Sequence, residues 1–149
     1  MTEQSIQQIE TSFNLLAPRG EELVQRFYGL LFARNPQVRG MFPEDLTHQK
    51  KKLLASIVLV VQNIRTPEKL MQPLREMGAR HAGYGVQNAH YAIVRDTLLE
   101  VMGEMAGPAW NTNLAHTWTE ALNTVATIMQ EGAAAATKRG PVSTAAGSR

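Results

Sequence analysis

Residues 74–81 read Leu-Arg-Glu-Met-Gly-Ala-Arg-His. Leu74, Met77 and His81 are spaced by three and four, so on an α-helix they share one face. The imidazole then stands at the end of an apolar stripe and points inward. Leu70 would lengthen the stripe were the helix continuous, but Pro73 is expected to break or restart it. Alone, such a histidine has an ordinary reading as a core side chain bonded to a backbone carbonyl. What surrounds it decides whether it is a ligand.

The flanking segments are helical too. Upstream, Leu53, Leu54, Ile57, Val58, Val61 and Ile64 recur at threes and fours and predict a helix over 47–64. Before that, Ile6, Ile9, Phe13 and Leu16 predict a helix over 5–16, opened by a Ser5–Gln8 capping box and ended by Pro18. Leu23, Phe27, Leu30 and Leu31 predict another over 19–34, stopped by Asn35-Pro36. Thr66-Pro67-Glu68 has the composition of a helix start. Downstream, Gly83 and Gly85 mark a stop, and Asn88 is expected to cap a long helix that ends near Gly107-Pro108. Leu114, Trp118, Leu122, Val125 and Met129 lie on one face of a last helix over 109–131. The chain therefore reads as all-α, with seven to eight helices of uneven length, too irregular for a symmetric four-helix bundle. The tail over 133–149 lacks large side chains apart from a few. It is expected to be disordered, leaving 1–132 as one domain.

Composition narrows the function classes. Among 149 residues, 44% are hydrophobic and 19% charged, enough apolar surface for a core. A net charge of +2 gives no reason to expect nucleic acid as a partner. The absence of cysteine excludes disulfides, thiolate zinc, iron–sulfur clusters and thiol catalysis. The N-terminal residues have no cationic start or apolar run of a secretory signal, and no stretch is long enough to span a bilayer. A cytoplasmic, membrane-free protein is the expectation. No Glu-x-x-His pair of a di-iron bundle occurs.

Polar residues at inward positions are the remaining signal. Gln49 lies one turn before Leu53 and two before Ile57, so an amide shares the inward face of its helix. Burying an amide unpaired costs about 1–3 kcal/mol, so it needs a partner or water at the helix end. Tyr28 is a second inward candidate, or a core tyrosine whose hydroxyl reaches the surface. Phe42 is a third, or an anchor for the loop before Pro43.

Taken together these residues resemble a known family. Arg26-Phe27-Tyr28-Gly29-Leu30-Leu31-Phe32, then Asn35-Pro36, then Met41-Phe42, is similar to the second helix and following corner of the globin domain of bacterial flavohaemoglobins. Gln49 through Leu53 to Asn63-Ile64 is similar to its distal helix. Gly78-Ala79-Arg80-His81, with Tyr91 ten residues on and Val94 after it, is similar to its proximal region. The resemblance covers about residues 5–130.

It implies a globin fold around a pocket for haem b (iron protoporphyrin IX), with His81 as the iron ligand. Tyr28 and Gln49 would be the hydrogen-bond pair facing a bound gas, with Leu53 as its apolar neighbour. Phe42 would stack on the haem, Met77 would wall the pocket, and Tyr91 would line the proximal side. Lys52 would meet a propionate, or be a solvated lysine of the Lys50–Lys52 run. The implied function is reversible binding of O2, NO or CO. Nitric oxide dioxygenation is a further implied activity, but the flavin and NAD domain of the flavohaemoglobins has no counterpart here, so a separate reductase would be its partner. The alternative is a haem-based gas or redox sensor acting through a protein partner. The family also polarises its proximal histidine with a late glutamate. Counting from Trp118 puts Ala133 at that position, with Glu131 two residues early and about 200° around the helix.

Overall fold

A computed structural model describes residues 1–138. It consists of α1 (Glu3–Leu16), α2 (Gly20–Arg34), α3 (Thr47–Gln62), α4 (Met71–Gly83), α5 (Asn88–Ala106) and α6 (Thr112–Lys138). Four short 3-10 helices, at Ala17–Arg19, Pro36–Met41, Pro67–Lys69 and Gly107–Ala109, fill the corners. There is no strand among the described residues. The all-α class stands, with six α-helices where seven to eight were expected.

Four boundaries differ from the sequence reading. Pro73 does not break a helix. It is the third residue of α4, inside the first turn, where a missing N–H forfeits no helical bond. Leu70, just ahead of α4, therefore stays with Leu74 in one buried cluster. At the N-terminus, Thr2 rather than Ser5 is the cap, its hydroxyl accepting from the Ser5 N–H at 3.0 Å. Gln87 rather than Asn88 caps α5, in a reciprocal box with His90. At the other end, α6 continues past Glu131 to Lys138. Residues 133–138, expected to be disordered, extend this helix because alanine is the strongest helix former. The rest of the expected tail, 139–149, lies outside the described residues.

The core is divided. The larger cluster joins α1, α2, α5 and α6 with the inner side of α3, around Ile9, Phe27, Leu31, Met102 and Trp118. Trp118 is 2% exposed, and its indole N–H donates to the Ser12 hydroxyl at 2.9 Å, which satisfies the one polar atom of that side chain. A smaller cluster of Leu70, Leu74 and Met129 joins α4 to α6, with Leu59 and Val60 of α3, Met77, Tyr91, Val125 and Ile128 against it. Exposed ion pairs add little to this packing: Arg34 with Glu100 at 2.6 Å and Arg26 with Glu104 at 3.8 Å link α2 to α5.

The union of α4 with α6 is unusually close. A Cβ on Gly78 would overlap the Met129 carbonyl, and a Cβ on Gly132 would overlap the Arg75 carbonyl. Each helix thus presents a glycine to the backbone of the other. Side chains are absent from the contact on both sides, so α4 has one seat on α6.

Candidate cofactor and gas-binding site

This seating sets where His81 stands. His81 lies in the last turn of α4, one turn beyond Gly78, and its Nδ1 is 2.7 Å from the Met77 carbonyl oxygen. A carbonyl only accepts, so Nδ1 carries the proton and Nε2 keeps its lone pair. Burial lowers the His81 pKa, the Met77 carbonyl opposes the shift, and the Arg80 charge adds to it. Burial thus favours the neutral imidazole, in which Nε2 is the nitrogen with the lone pair. Tyr84 is its ring neighbour, with centroids 6.1 Å apart.

The second group of residues comes from α2, the corner after it, and the start of α3. Tyr28 is 3% exposed and packs edge-on against Phe27 at 5.0 Å and Phe42 at 5.7 Å. Burial raises its pKa to about 12, and a side-chain hydrogen bond with Gln49 pulls the other way. The Gln49 amide is thus the hydrogen-bonding partner of the Tyr28 hydroxyl. Leu53 and Phe42, both half-buried, pack against the same core cluster as Tyr28.

The structure thus brings Tyr28, Phe42, Gln49 and Leu53 together on one wall. Met77 and Tyr91 belong to the other cluster, with α4 and α6. Helices α3 and α4 meet near Leu59, Val60, Leu70 and Leu74, while their far ends carry Gln49 and His81. Among the described residues neither cluster bridges those far ends. Lys52 is on the exposed side of α3. Glu131 is exposed and pairs with Arg75 at 3.8 Å, so this late acid is turned to the surface. For Tyr91, burial is the whole cause of its raised pKa. An open hollow of about 450 Å³ along Leu54, Ala55, Val58 and Leu59 lies around α3 from Gln49 and has only Lys51 and Gln62 as polar lining.

Two residues near the first wall carry no signal in the helical periodicity, Phe32 and Arg39. The Phe32 ring is 5.3 Å from Phe42 and 5.8 Å from Tyr28, and the Arg39 guanidinium lies 4.9 Å from the Phe32 centroid. The sequence does hold one cue to Arg39: it is a cation three residues before a Phe-Pro loop whose carbonyls have no helical partners.

A six-helix, all-α fold of this kind is matched by one family model. The Globin model covers residues 25–129, from α2 to within α6. The chain belongs to the globin family. It is 29% identical to a flavohemoprotein of Vibrio cholerae over 140 residues, which are 89% of this chain and 35% of that protein. It is 28% identical to an uncharacterized globin-like protein of Aquifex aeolicus, covering 85% of this globin and 89% of that one. The globin spans about a third of the length of the flavohemoproteins it matches. Among solved structures, a bacterial globin of Campylobacter jejuni superposes with a TM-score of 0.82 at 25% identity, over 92% of this chain and 99% of that one. An engineered carbene transferase, from a Rhodothermus marinus protein provisionally named a nitric oxide dioxygenase, gives 0.84 at 28% identity, over 93% and 97%.

The donor set of this globin fits a haem. Among the described residues no group of three His, Asp or Glu side chains could hold a metal ion. A lone neutral imidazole suits a metal that would arrive with most of its donors already in place, as the iron of a porphyrin would. Likewise, no helix among the described residues is long and apolar enough to cross a membrane.

Proposed function

We propose that this globin holds haem b between α3 and α4 through Nε2 of His81, and binds O2, NO or CO reversibly beside Tyr28 and Gln49. Held by His81, a bound haem would supply a ferrous iron able to take up a diatomic gas. The observation that carries the reading is the Met77 carbonyl on Nδ1 of His81, which leaves the other ring nitrogen free to ligate. Every other contribution comes from the protein. Burial keeps the imidazole neutral, and α4, seated on α6, holds the ring in place.

Tyr28 stays a neutral phenol at any physiological pH and offers its proton to a ligand that gains negative charge, with Gln49 orienting it. Phe42, Leu53 and Met77 keep water away, which slows oxidation of the metal. The partner of His81 is a neutral carbonyl and the late acid Glu131 is paired outside with Arg75. The proximal push of an imidazole bonded to a carboxylate is therefore missing, which favours reversible binding over cleavage of an O–O bond. The likeness to a protein provisionally named a nitric oxide dioxygenase supports nitric oxide as a further substrate, with a separate reductase supplying electrons.

Tyr28→Phe tests the distal half of this reading. A hydrogen bond to a charged acceptor contributes about 1.5–3 kcal/mol, so oxygen should leave the variant about ten- to a hundredfold faster, with CO release far less changed. Stopped-flow displacement of oxygen by CO measures both. An unaltered oxygen off-rate removes Tyr28 from the mechanism.

A further inference from the structure

Arg39 does something that no ion pair explains. Its Nη1 donates to the Pro43 carbonyl at 3.0 Å and the Phe42 carbonyl at 3.4 Å, and its Nη2 donates to the Glu44 carbonyl at 3.1 Å. Three successive carbonyls of the loop leaving the Pro36–Met41 helix are thus collected by one planar group. Among the described residues no carboxylate pairs with it. The face of the same guanidinium covers the Phe32 ring at 4.9 Å. Phe32 meets Phe42, and both meet Tyr28. Arg39 therefore holds the backbone that carries Phe42 and one side of the aromatic cluster in which Tyr28 is set. The loop needs such a donor, because its carbonyls require partners and Pro43 has no N–H to offer a turn. A lysine at this position has a single point charge and cannot span three carbonyls while stacking on a ring.

We propose that Arg39 is a positioning residue for the gas-binding face: it fixes the Phe42 loop and, through the Phe32–Phe42 pair, the stance of the Tyr28 hydroxyl. The proposal rests on the reading of Tyr28 given above. Its effect on a bound gas passes through Tyr28 and vanishes when that hydroxyl is gone.

The test is a double-mutant cycle on the full chain loaded with haem, using Arg39→Met, Arg39→Lys and Tyr28→Phe. Residues coupled through a shared backbone shift interact over a range whose lower part corresponds to about two- to tenfold. The relay through Phe32 and Phe42 places Arg39 there, so both Arg39 variants should release oxygen faster by that factor. The C–O stretching band of the CO complex should broaden and move to higher frequency. Hydrogen exchange of the 42–46 amides should quicken, a readout independent of gas binding. In the Tyr28→Phe background, Arg39→Met should leave the oxygen off-rate unchanged.

Three results overturn the proposal. One is a wild-type off-rate and CO band in Arg39→Met, even with a lowered melting temperature, since that is a stabilising role only. Another is an equal acceleration with and without the Tyr28 hydroxyl. The third is full function in Arg39→Lys. If instead Tyr28→Phe alone leaves the off-rate unmoved, the distal reading itself has failed, and this proposal falls with it.

Discussion

His81→Gly is expected to fold and to lose its haem. Removing the imidazole takes away the one protein bond to the metal, and haem affinity should fall by at least about a hundredfold, roughly 3 kcal/mol. The fold should tolerate the change, because His81 is in the last turn of α4 and only partly buried. Glycine there costs about 1 kcal/mol of helix propensity. It also leaves a ring-shaped space, so millimolar imidazole should restore the absorption spectrum of the wild type. Haem transfer to a scavenging apoglobin gives the rate of loss, and circular dichroism confirms the helices. A variant that keeps its haem at the wild-type rate means that another side chain is the ligand.

Gly78→Ala is expected to be strongly destabilising. It would collide with the Met129 backbone, and neither partner is a flexible side chain that could turn aside. Helix α4 must then lift from α6, opening the Leu70–Leu74–Met129 cluster and displacing His81. Overpacking typically costs 1–3 kcal/mol, and a backbone-to-backbone clash belongs at or above the top of that range, about 3 kcal/mol. Denaturant unfolding of the unloaded protein measures it. Gly29→Ala is the control: nothing lies within 4 Å of the added methyl on the exposed side of α2, so it should be neutral or stabilising by about 0.5–1 kcal/mol. Equal effects at the two glycines contradict the close seating of α4 on α6.

Much of this was legible in the sequence because helical spacing reports burial directly. Leu74, Met77 and His81 share a face as their intervals require, and Gln49 is on the side of α3 that meets Tyr28. Pro73 misled because its effect depends on position: three residues earlier or later in a helix, the same ring is tolerated or disruptive. The run Gly132 to Ala136 looks like a tail because it has no large side chains, whereas it continues α6 and Gly132 lies against the backbone of α4. Arg39 left no trace in the periodicity, since an arginine in a corner is normally solvated. Here its guanidinium is instead spread across three loop carbonyls.

The most direct test of the central claim is the absorption spectrum of the ferrous protein, reconstituted with haem, before and after CO. The account predicts one haem per chain, five-coordinate and high-spin through a histidine, converting fully to a six-coordinate CO complex. A protein that takes up no haem, or a six-coordinate low-spin spectrum with no gas present, would contradict it.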